Sequence, residues 1–86
     1  MTEIIQSLEQ IEKTVKTADF AKIEATVQTT RKFLSGTKNS KLQQLDSELA
    51  VWQTKLNVIL REPAGREGMA KHVRHWVEEL RKSNAG

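Results

Sequence analysis

The stretch Ser40–Arg61, SKLQQLDSELAVWQTKLNVILR, decides the fold class. Leu42, Leu45, Leu49, Trp52, Leu56 and Ile59 recur in alternating steps of three and four. At 100° per residue they share one stripe of a helix, with Leu60 on its flank. Ser40 followed by Gln43 reads as a capping box, and Pro63 stops the helix behind Glu62. Such a helix is a rod of roughly 30 Å, the width of a small domain. Val51 and Val58 sit about 130° from the stripe centre, so this helix has a second face to cover.

Outward toward the N-terminus, Ser35–Asn39 forms a turn with Gly36 just past the end of a preceding helix. Ile4, Leu8, Ile11, Val15 and Ala18 keep a four-three spacing, predicting a first helix over Glu3–Lys16 with Thr2 as its cap. Glu9 with Lys13 and Glu12 with Lys16 are i,i+4 pairs for its solvated face. At Thr17–Phe20 the apolar phase slips, and Phe20, Ile23, Val27 and Leu34 define a second stripe with Thr30 inside it. Asp19 or Thr17 can cap a new helix there. The alternative is one long helix kinked at this point. The segment Ala18-Asp19-Phe20 with a nearby Ala resembles the start of tetratricopeptide helices, but no 34-residue period recurs and the repeat reading fails.

Toward the C-terminus, Glu62–Gly68 holds the only Pro and two Gly and reads as a loop. The last helix is predicted over Glu67–Lys82, with Met69, Val73, Trp76 and Leu80 as its stripe and Val77 widening it. Ser83–Gly86 should fray. Short connections make sequential helices antiparallel. The expectation is therefore all-α: residues 1–86 as a single domain, a small up-down bundle of four helices, three if the first two merge. Leu45, Leu49, Trp52 and Leu56 should be almost fully buried, facing Leu8, Ile11, Val27 and Trp76.

Composition narrows function by exclusion. The chain has no Cys, which removes disulfides, thiolate zinc sites and thiol nucleophiles. No stretch approaches the ~18 apolar residues of a membrane span. The start MTEIIQSLEQ lacks the basic and apolar regions of a signal peptide, so a cytoplasmic location is expected. The net charge of +3 is a mild excess, met in many small proteins. No Ser has a His and a carboxylate at triad spacing.

Three features of the last helix bear on chemistry. His72, His75 and Glu79 share a face within about 60° and could supply part of a metal centre. Inward positions on the other helices carry no carboxylate, so no metal and no cofactor are assigned. His72 then borders the core beside Trp76, and His75 pairs with Glu79. The turn Pro63–Gly68 with Arg66, Gly68, Lys71 and His72 is a candidate anion site, against which Glu67 competes for the same amides. Finally, Lys71, Arg74, Arg81 and Lys82 are interrupted by Glu67 and Glu78, a mixed pattern that suits solvent better than a phosphate track.

Arg66 and His72, with five residues between them, resemble the Arg-x(4–6)-His signature of HEPN-type ribonucleases, a family of four-helix bundles. The resemblance implies RNA cleavage at a dimer interface, with Arg66 on phosphate and His72 in proton transfer. It covers residues 66–72 alone, and Glu67 departs from the neutral or amide residue common there.

The favoured reading is a non-enzymatic protein-interaction module, such as an adaptor, assembly factor or regulatory subunit. Its motive is spare apolar surface: Val51 and Val58 with Thr54 between them, Phe33 off the second stripe, and Ile5 beside the first. The partner would be another protein or a second copy, with no membrane. The alternative is a small basic RNA- or DNA-binding domain using Arg61, Arg66, Lys71 and Arg74, with HEPN-like chemistry at Arg66 and His72.

Overall fold

The computed structural model describes residues 2–17 and 19–85, with the side chains of all of these but Asn84 and Ala85. Ala18, expected to close the first stripe, lies outside the described residues, as do Met1 and Gly86. Four helices follow one another: α1 (Thr2–Val15), α2 (Phe20–Leu34), α3 (Ser40–Ile59) and α4 (Pro63–Ala85). The chain is all-α, and the phase slip after Val15 is a true break. Asp19 stands in extended conformation, and its Oδ1 accepts the N–H of Lys22 at 3.0 Å, capping α2. Gly36, at φ 78°, lets the chain leave α2 while Thr37 N–H bonds back to the Leu34 carbonyl at 3.2 Å.

The start of α3 differs from the capping box read at Ser40 and Gln43. Asn39 is the cap, its Oδ1 accepting from Lys41 N–H at 2.9 Å and Leu42 N–H at 3.2 Å. An Asn one residue earlier offers the same acceptor as Ser40, and Gln43 turns instead to the carbonyl of Thr37 at 3.1 Å.

The larger correction concerns Glu62–Gly68, which is not a loop. Helix α4 starts at Pro63, and the Glu62 carbonyl accepts from Gly65 N–H and Arg66 N–H. Proline fits the first turn of a helix because its missing N–H is an orphan there anyway. Only Leu60, Arg61 and Glu62 therefore connect α3 to α4. At the other end α4 continues through Ser83–Ala85, where fraying was expected.

Leu8, Ile11, Val15, Ile23, Val27, Leu34, Leu45, Leu49, Leu56, Val73 and Leu80 form the sealed centre of the core. Ile5, read as spare apolar material, is buried within it. Phe20 departs the other way: it opens α2 at one end of the bundle and is 41% exposed. Three hydroxyl residues are also buried: Ser7 and Thr30, hydrogen-bonded to each other between α1 and α2, and Thr14, which donates to the Gln10 carbonyl at 2.8 Å. Thr30 also donates to the Thr26 carbonyl at 3.0 Å, so no buried side-chain N or O among the described residues lacks a partner.

The closest packing runs between α1 and α4 and then between α1 and α2. Helix α3 lies diagonally across from α1, packs on α2, and meets α4 least closely of the neighbouring pairs. The α3 stripe shares one core with Leu8 and Ile11, and α1 is the element most embedded. Ser7 meets Thr30 at the α1–α2 seam, and Trp52 and Met69 line the groove between α3 and α4. Trp52 is consequently half-buried rather than sealed, unlike Leu45, Leu49 and Leu56.

Charged groups of α1 also look across rather than along their helix. Glu9 pairs with Arg81 at 2.7 Å and Glu12 with Arg74 at 3.5 Å, in place of the expected partners Lys13 and Lys16. No helix among the described residues is long and apolar enough to cross a membrane.

Candidate functional site

The loose α3–α4 seam is where side chains with chemistry gather. Glu48 sits on the flank of the α3 stripe, one turn before Trp52, and reaches α4 with both oxygens. Its Oε2 accepts the indole N–H of Trp76 at 2.5 Å, and its Oε1 lies 3.1 Å from Nε2 of His72. The His72 ring meets Trp52 edge to face, with centroids 5.3 Å apart. This bridge divides the seam into two grooves. The half nearer the α3–α4 turn, a cavity of about 480 Å³, has Trp52, Ile59 and Met69 as its apolar lining, with Gly65 and Gly68 leaving room on α4. The half beyond the bridge, about 270 Å³, is polar, with Lys41, His75 and Glu79 around it.

Val51 forms the outer lip of the apolar groove. It is 50% exposed, and Val58, two turns on, is 59% exposed. Between them Thr54 is exposed, its hydroxyl donating to the Val51 carbonyl at 2.7 Å. Ser47 likewise donates to the Gln43 carbonyl at 3.1 Å. The polar atoms of this strip are satisfied within the helix, so covering it strands little. Phe33, 48% exposed, belongs elsewhere: it lines a groove between α1 and α2 with Ser7, Ala25 and Thr29. The structure thus brings Val51, Thr54 and Val58 together and leaves Phe33 apart.

The four residues of the candidate anion site are likewise divided, by α4 itself. Gly68 and His72 line the apolar groove toward α3, while Arg66 and Lys71 line a cavity toward α1. Arg66 has a defined task there. Its Nη1 donates to the carbonyl of Val15 at 3.0 Å and its Nε to that of Leu60 at 3.2 Å, closing the C-terminal ends of α1 and α3 together. The Arg66–His72 pair therefore does not share a groove, and the histidine's contacts are Glu48 and Trp52.

The helical face of His72, His75 and Glu79 does not gather either. Glu79 takes the ammonium of Lys41 at 3.6 Å, and His72 takes Glu48. Among the described residues no three His, Asp or Glu side chains converge to hold a metal ion.

Glu48 escapes a reading of the sequence, where it looks like any solvent-facing glutamate, and so do the carbonyl partners of Arg66, because both find their contacts on helices distant along the chain. No protein-family model, curated protein or solved structure matches this chain.

Proposed function

We propose that the chain is a non-enzymatic protein-interaction module that binds through the outer face of α3 and the apolar groove beside it. The observation that carries this reading is the continuity of apolar surface. Val51 and Val58, half or more exposed, flank Thr54 and Lys55 on the outer face of α3, and Val51 continues into the groove lined by Trp52, Ile59 and Met69, with Glu48 and His72 on its wall. Such patches usually mark contact surfaces. Beta-branched residues seven apart on one helix suit a helical partner, and the internally bonded Thr54 and Ser47 permit close approach.

The simplest occupant is a second copy. A two-fold axis centred between Thr54 and Lys55 sets Val51 of one copy against Val58 of the other, so a single strip serves both sides. The test is sedimentation of wild type and of Val51→Lys/Val58→Glu, with helicity and melting followed alongside. Wild type should associate at micromolar concentration, and the double variant should be monomeric with unchanged melting. A monomeric wild type at high micromolar concentration rules out the second copy and leaves a different protein as partner. Unfolding of the double variant places these valines in the bundle's own core and ends the reading.

A further inference from the structure

A second surface lies at the end of the bundle where α1 stops and α4 starts, and it does not depend on the α3 face. The cavity there holds about 810 Å³. Its wall carries five cations, Lys16, Arg61, Arg66, Lys71 and Arg74, against two carboxylates, Glu12 and Glu67. That excess of three positive charges equals the formal net charge of the whole chain, +3. The remaining formal charges of the chain therefore sum to zero, nine Lys and Arg against nine Asp and Glu.

We propose that this groove docks an acidic, carboxylate-rich stretch of a partner protein. Arg66 supplies a fixed positive base, because its guanidinium is tied to the Val15 and Leu60 carbonyls. By covering the Val15 carbonyl it also masks the negative end of α1, which would otherwise repel an anion. Lys16 and Arg61 make no ion pair among the described residues. Lys71 is 3.9 Å from Glu67 with both side chains more than two-thirds exposed, and the Arg74 side chain is 62% exposed. An exposed pair such as Lys71–Glu67 is worth little, so Lys71 can turn to an incoming carboxylate at little cost, while Arg74 stays anchored on Glu12, whose side chain is only 18% exposed.

The floor distinguishes a peptide from a nucleic acid. Leu60 and Ala70 are buried beneath the cations, and Pro63 flanks them. An apolar floor accepts the side chains that an acidic peptide interposes between its carboxylates. A phosphodiester strand carries charge at every step and needs a cationic track free of carboxylates. Here Glu12 and Glu67 interrupt the cations, and the cluster occupies one end of a molecule 37 Å long.

Fluorescence anisotropy of a labelled peptide of alternating Glu and Leu, with the full chain, tests the inference. A single-stranded oligonucleotide of equal charge serves as competitor. The peptide should bind, weaken at least tenfold in Lys16→Glu/Arg61→Glu, and be released by about 0.5 M salt, where screening shortens to a few ångström. Binding to Val51→Lys/Val58→Glu should match wild type, which separates this groove from the α3 face. Lys71→Gln, on a largely exposed side chain, gives a second variant in which a smaller loss is expected if the first does not fold. Absence of peptide binding, wild-type binding by folded Lys16→Glu/Arg61→Glu or by Lys71→Gln, or tighter binding of the oligonucleotide would each overturn the proposal.

Discussion

Gly65 packs against the main-chain carbonyl of Ile59 so closely that a Cβ on Gly65 would stand 2.0 Å from the oxygen. Real side chains do not approach a carbonyl to that distance, so the three-residue connection between α3 and α4 depends on this glycine. Gly65→Ala should destabilise the fold by about 2 kcal/mol or more, despite the better helix propensity of Ala. Gly68, one turn on, meets nothing within 4 Å, and Gly68→Ala should stabilise by about 0.5–1 kcal/mol. Thermal melts of the two variants should move in opposite directions. Two shifts of the same sign would contradict the geometry of the turn.

Leu49 is fully buried near the middle of α3. Leu49→Ala should cost about 2–5 kcal/mol, a large share of the ~4–13 kcal/mol available to a domain of this size. Urea denaturation measures it. A loss under half a kcal/mol would mean that the stripe does not face the core.

The Ser7–Thr30 hydroxyl pair invites a double-mutant cycle. Thr30→Val keeps the shape but leaves the Ser7 hydroxyl without its partner, for a loss of about 1–2 kcal/mol. Adding Ser7→Ala removes the stranded group, and the double variant should recover toward wild type. Strictly additive losses in chemical denaturation would show that the two hydroxyls are not coupled.

Glu48 ties α3 to α4 through the Trp76 indole, whose residue is only 7% exposed. Glu48→Ala leaves that N–H without an acceptor and should cost about 1–3 kcal/mol. Glu48→Gln retains an acceptor oxygen and should lose less. With only two tryptophans in the chain, emission during unfolding reports the seam directly. Equal stability of all three proteins would remove Glu48 from the account of the seam.

Helix type and apolar faces can be read from the chain because they depend on period alone, whereas the choice between three and four helices stays open because no Gly or Pro marks the break after Val15. The exposure of Val51 and Val58 is legible for the same reason, being set by their phase relative to Leu49 and Leu56. The start of α4 is not legible. Pro63, Gly65 and Gly68 carry the composition of a loop, and only the close approach to Ile59 makes a glycine-bearing helix the better solution. The central role of α1 is hidden as well. The longer, leucine-rich α3 advertises itself, whereas α1 gains its place from its packing on both α2 and α4. Contacts spanning 24 to 51 residues, such as Glu48 with His72 and Arg66 with Val15, leave no local trace.

The best-packed pair of helices is also the pair farthest apart along the chain. Arg66 reaches Val15 across 51 residues, and Arg81 reaches Glu9 across 72. Helices α1, α2 and α3 can meet their successors by local search, but the seam that matters most forms only when a long loop of chain closes. Refolding should therefore be limited by the arrival of α4 on α1. A circular permutant that links Ala85 to Thr2 and opens the turn at Gly36 makes that meeting local. Its refolding limb should be faster than wild type, with the unfolding limb little changed.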